Sequence, residues 1–219
     1  MNDDTARRGR FDTPLWRFTG SAGGWLLFAL CFSLLYLGAS TVMGLGGYCA
    51  SGGPYEIETE CPEAVVLFVP LSIFGGLAAV GIGAFLSGGF GTPLLSWAWP
   101  TLFVGLGIAF LLASTQPGGI TFLFVGLMFL VMGAVPLVLE WRVSVQRLFL
   151  GERDLAGVRF AVPDSSRVSI LGHRFRTRAD DGQPIPATAR DWALSLGTTA
   201  VSVTAGVYLA NQLYAAAGG

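Results

Sequence analysis

Two cysteines and four glutamates share one short loop. Residues 47–63 read Gly-Tyr-Cys-Ala-Ser-Gly-Gly-Pro-Tyr-Glu-Ile-Glu-Thr-Glu-Cys-Pro-Glu, with Cys49 and Cys61 at its two ends and no basic residue between them. The cysteine pair has two chemistries open to it. It can close a structural disulfide: Gly52, Gly53 and Pro54 let the chain bend back, and closing so short a loop is worth about 3 kcal/mol on a chain-entropy argument. It can also exchange electrons, as in membrane thiol oxidoreductases, where four-helix bundles carry redox cysteines on outside loops. That second chemistry needs a C-x-x-C pair or a second exchanging pair. The third cysteine, Cys31, sits in the middle of an apolar run and reads as a small core residue. The disulfide is therefore the expectation.

The glutamates Glu56, Glu58, Glu60 and Glu63 could hold a divalent cation, because alternating acids on an extended segment project to one side. An acidic loop outside a membrane is also the ordinary result of topology and solubility. Other chemistry is thinly supplied. His173 is the single histidine, which leaves no pair for a bis-histidine haem, no zinc-hydrolase motif and no histidine relay. Residues 88–92, Gly-Gly-Phe-Gly-Thr, are followed by no lysine and preceded by no strand, so they are not a phosphate-binding loop. No catalytic residue, cofactor or metal is assigned from the sequence.

The elements that carry this loop are membrane spans. The chain is 53% hydrophobic and only 12% charged, the composition of a polytopic membrane protein. Apolar runs of about 20 residues match the thickness of the hydrocarbon layer. They predict helices over residues 23–46, 64–88, 97–114 and 120–139, with a fifth, weaker span over 192–214 that contains Asn211 and Gln212. The first run is longer than the apolar core of a secretory signal, so it reads as a retained helix. Pro62 and Glu63 suit the start of the second helix. Pro70 should kink it. Arg142 to Leu150 could continue helix four along the membrane surface, with Val145, Leu148 and Phe149 toward lipid. The fold class expected is all-α, a five-span bundle. Its parts are a polar segment at 1–22, a four-helix bundle at 23–139 with the loop at 47–63, a polar segment at 140–191, and a last helix and tail at 192–219.

Charge placement gives the orientation. Arg7, Arg8, Arg10 and Arg17 precede the first helix and no basic residue follows until Arg142. The positive-inside rule then puts the N-terminus in the cytoplasm, the 47–63 loop outside, the 140–191 segment inside and the C-terminus outside. Residues 158–162 and 167–178 alternate like short strands, and 180–182 read as a turn, so the inner segment could hold a small β unit. Arg174, Arg176 and Arg178 would share one face if extended and could meet anionic lipid headgroups. Every basic residue is Arg and none is Lys, a bias that fits a GC-rich bacterial genome and hence a bacterial plasma membrane. Nucleic-acid binding has no support, since no basic domain exists.

Helices in lipid associate through small residues that let backbones approach. At spacing four these are Gly75, Ala79, Gly83 and Ser87 on helix two, Thr101, Gly105, Ala109 and Ala113 on helix three, and Thr198, Ser202, Gly206 and Ala210 on helix five. Such faces close helices on one another, form a dimer interface, or line a pore. No Asp, Glu, Lys or Arg falls within a predicted span, which argues against ion-coupled transport. A channel lined by backbone or hydroxyls stays open.

The motif of residues 47–55, followed by Cys61-Pro62-Glu63, resembles small multi-pass membrane proteins of actinobacteria that carry no assigned activity. The resemblance covers mainly the first four spans and implies location, with no catalytic residue to transfer. The function expected is a non-enzymatic structural, accessory or sensor subunit, bound to the lipid bilayer and to a membrane-protein partner or a second copy. A passive channel or small-solute permease is the alternative, and a thiol-redox enzyme the third reading.

Overall fold

The computed structural model describes residues 14–52, 57–87, 91–115, 119–143, 145–150 and 189–219. The protein is all-α: α1 (Pro14–Gly44), α2 (Glu63–Leu86), α3 (Leu94–Ala113), α4 (Ile120–Val143), a single turn and a half α5 (Val145–Leu150), and α6 (Ala189–Ala216). Among the described residues, five of these helices are long and apolar enough to cross a membrane, and this is an integral, multi-pass membrane protein. The arginine triplet Arg174, Arg176 and Arg178, His173, the strand-like stretches at 158–162 and 167–178, and the 180–182 turn lie outside the described residues. So do Arg7, Arg8, Arg10 and Glu56.

The spans start and stop where backbone chemistry allows. Helix α1 begins at Pro14, a residue pre-set for the first helical position. It starts earlier than the apolar run alone predicts, with Trp16, Phe18 and Thr19 in its first turns. Gly46 and Gly47 end it with φ of 94° and 89°, a conformation that L side chains resist. Pro70, Pro100 and Pro136 each lie inside a helix. A proline removes the N–H that would bond the carbonyl four residues back. For Pro136 that carbonyl belongs to Met132, and the Trp99 indole Nε1 donates to it at 3.3 Å. A side chain from α3 thus satisfies a backbone group that lipid could not.

Helix α1 is the hub. It packs against α2, α6 and α3, while α4 lies outside and pairs mainly with α3. The reason is size. On α1, a Cβ at Gly24 would stand 2.7 Å from Gly83 Cα of α2, and one at Gly20 would meet Leu86 and the Ser87 backbone. Lower on the same seam Gly75 faces Cys31, and Gly38 faces Val69. The paired numbers rise on one helix as they fall on the other, as an antiparallel pair requires. On α6, Gly206 sits against the backbone of Leu26 and Leu30 of α1. On α3, Gly105 sits against Phe32. A separate seam joins α3 to α4, where Gly107 and Gly126 each face the other's carbonyl oxygen, at 3.0 Å from a built Cβ.

One end of the bundle is closed by the disulfide loop. Cys49 and Cys61 are bonded, with Cα atoms 5.0 Å apart. Beside them the Ala50 N–H donates to Thr59 O and the Cys61 N–H donates to Ala50 O, both at 3.0 Å. Just below, Leu34, Ala64, Phe68, Ala210 and Tyr214 form a core from α1, α2 and α6. The Tyr214 and Thr41 hydroxyls share a 2.7 Å hydrogen bond across α6 and α1.

Helix α5 corrects one expectation. Leu148 is 1% exposed and Phe149 points into the bundle, so these two side chains do not face lipid. The last carbonyls of a helix have no partner within it. Here the Trp97 indole donates to Leu148 O at 2.8 Å, and the Ser195 and Thr92 hydroxyls donate to Phe149 O at 2.7 and 3.1 Å. Those bonds hold the end of α5 against the start of α3 and the start of α6.

Candidate functional site

Helices α3 and α6 both lean on α1 yet make no extensive contact with each other. Between them runs a cleft of about 540 Å³. Its floor is one face of α1, where Trp25, Phe28, Phe32, Ala29 and Ser33 recur at helical spacing. Phe28 and Phe32 stack at 6.2 Å, and Trp25 meets Phe28 edge-on at 6.2 Å. The α3 wall supplies Trp97 and Thr101, and the α6 wall runs from Leu196 to Val207. Leu196 and Val207 are exposed, which places them on the rim. With α1 behind and helices on both flanks, the remaining opening is sideways.

The α5 end of the cleft is a polar plug. The Trp25 indole donates to Thr92 O at 2.8 Å, and the Thr92 and Ser195 hydroxyl oxygens lie 3.1 Å apart. Together with the two hydroxyl bonds to Phe149 O, these tie the turn before α3, the end of α5 and the start of α6 into one network. Phe149 is packed between Trp97 and Trp192, at ring distances of 5.4 and 6.0 Å. Within the walls, Thr199 Oγ1 is buried and has no hydrogen-bond partner.

The residues singled out from the sequence fall elsewhere. Gly75, Ala79 and Gly83 lie on the α1–α2 seam, with Ser87 at the end of α2. Gly105 packs on α1 beside Ala109 and Ala113, which are 5% exposed. Of the α3 stripe only Thr101 reaches the cleft. Ser202, Gly206 and Ala210 are buried on the α6 face toward α1. Among the described residues no group of three or more His, Cys, Asp or Glu comes together as metal ligands. The cleft residues Trp25, Thr92, Phe149 and Ser195 were not legible as a site, since they come from four separated segments. A partial signal existed on α1, whose aromatics at i, i+3 and i+7 share a face with Ala29 and Ser33. Comparison with known proteins gives no match for this chain among family models, curated sequences or solved structures.

Proposed function

We propose that this chain is a non-enzymatic membrane subunit, of structural, accessory or sensor type, which acts through a partner and does not conduct solutes itself. The observation that carries the reading is the position of α1. A pore would need the small-residue faces of α2, α3 and α6 to border water. Instead each closes on α1, with Gly24 and Gly83 in backbone contact and Gly206 against the Leu26 carbonyl. Reconstitution tests this. Purified protein in liposomes should pass small ions and neutral solutes no faster than protein-free liposomes do. Flux that rises in proportion to the protein added would make it the passive channel or permease.

The proposed orientation puts the N-terminus and the 140–191 segment in the cytoplasm of a bacterial cell and the disulfide loop outside. Its support is the arginine distribution. Tyr55→Cys should react with an impermeant maleimide on intact cells, and Ser165→Cys should react only after lysis. The reverse pattern would invert the topology.

A further inference from the structure

The cleft has the depth of one leaflet. Its floor extends from Trp25 to Ser33 and its α6 wall from Leu196 to Val207, which at 1.5 Å per residue is about 12 and about 17 Å. Half of a hydrocarbon core is about 15 Å. The position agrees. Trp97 and Thr101 come from the first half of the α3 span Leu94–Ala113, and the α1 and α6 stretches lie around or before the middle of theirs. The cleft therefore occupies the α5-side half of the bundle and ends near the bilayer midplane.

We infer that this cleft holds a single acyl chain of a phospholipid from the leaflet on the α5 side. Water is a poor occupant, because a buried water needs two to four polar partners. The Trp25 and Trp97 indoles and the Thr92 and Ser195 hydroxyls are already bonded to protein. The hydroxyls of Ser33, Thr101 and Thr199 also reach the lining, one from each of three helices, and the rest of it is aromatic or aliphatic. An unfilled volume would forfeit the dispersion contacts of its aromatic floor. A flexible hydrocarbon chain entering sideways, between Leu196 and the α3 wall, fits both the shape and the surroundings. The plug keeps its polar groups for itself, so recognition is of the chain and the headgroup stays at the membrane surface. This inference goes beyond the non-conducting reading and does not depend on it.

The test uses the full-length protein in liposomes of phosphatidylcholine and phosphatidylglycerol. A trace of phosphatidylcholine with a diazirine in the middle of one acyl chain is included. After irradiation, adducts are mapped by mass spectrometry. Adducts should concentrate severalfold on the cleft, at Phe28, Phe32, Thr199 and Val203, over the lipid-facing side of α4 at Phe124 and Val131. Ala200→Phe, which fills the cleft from its rim, should remove that excess. Val201→Phe, on the exposed opposite face, should leave it unchanged. A probe based on phosphatidylglycerol should give the same map. Cleft adducts no more abundant than those on α4 would overturn the inference, and the wild-type map alone decides this if Ala200→Phe does not fold. So would a discrete protein adduct, partner or second copy, captured in native membranes by a benzophenone amino acid at position 196.

Discussion

Replacing Cys49 with serine should lower the melting temperature of the purified protein by several degrees, and Cys61→Ser should do the same. The bond joins the end of α1 to the start of α2 through a loop of twelve residues. A loop near that length gives about 3 kcal/mol by chain entropy. In a membrane this is an upper limit, because α1 and α2 stay inserted in the disrupted state and already hold the loop ends near each other. For a chain of this size each kcal/mol moves the midpoint by roughly 2–4 °C. The loop also seats α4: Gly47 rests on Phe122, with a built Cβ 2.9 Å from the ring. Loosening the loop should therefore loosen the outermost helix too. The double mutant should lose no more than either single one, since the two sulfurs act as a unit. Two alkylatable thiols in protein taken directly from cells would refute a structural bond. A steady mixture of oxidised and reduced forms that follows the growth medium would restore the redox reading.

The spans were legible in the sequence because the bilayer imposes their length and polarity. Even the fifth was, although Asn211 and Gln212 lower its hydropathy. Asn211 Nδ2 donates to Val207 O one turn back, so the amide is satisfied within its own helix. The loop pairing was legible because only Cys49 and Cys61 share a loop. What the pattern did not give was which helix lies in the middle. The stripes on α2, α3 and α6 were visible, but their common partner was not. Its own contribution is Gly20, Gly24 and Gly38 interleaved with Phe28 and Phe32, a mixed face that no single spacing reveals. The second glycine seam, Gly107 to Gly126, was hidden for a related reason: α3 uses two faces, and only one follows a regular spacing of four. The inward direction of Leu148 and Phe149 on α5 was not legible, because apolar residues on so short a helix suit a lipid-facing side as well as a buried one. The choice is made by the indole and hydroxyl donors of Trp97, Thr92 and Ser195, which lie far away in sequence.

The central claim is that α1 is the hub on which the small-residue faces close. Its most direct measurement is the thermal stability of four glycine-to-leucine variants. Gly24→Leu and Gly206→Leu place a side chain where the nearest atoms are backbone: Gly83 Cα at 2.7 Å in one case, Leu26 O at 2.5 Å and Leu30 N at 2.9 Å in the other. Backbone cannot swing aside, so the helices must separate. Overpacking of this kind typically costs about 1–3 kcal/mol, or roughly 2–12 °C in a chain this long. Gly81 on α2 and Gly197 on α6 have nothing within 4 Å of a built Cβ. Leucine there meets lipid and also removes a helix-weakening glycine. The prediction is a fall in melting temperature for Gly24→Leu and Gly206→Leu, with Gly81→Leu and Gly197→Leu unchanged or raised. If Gly24→Leu and Gly206→Leu melt like the wild type, those faces look onto lipid or water and α1 is not the hub.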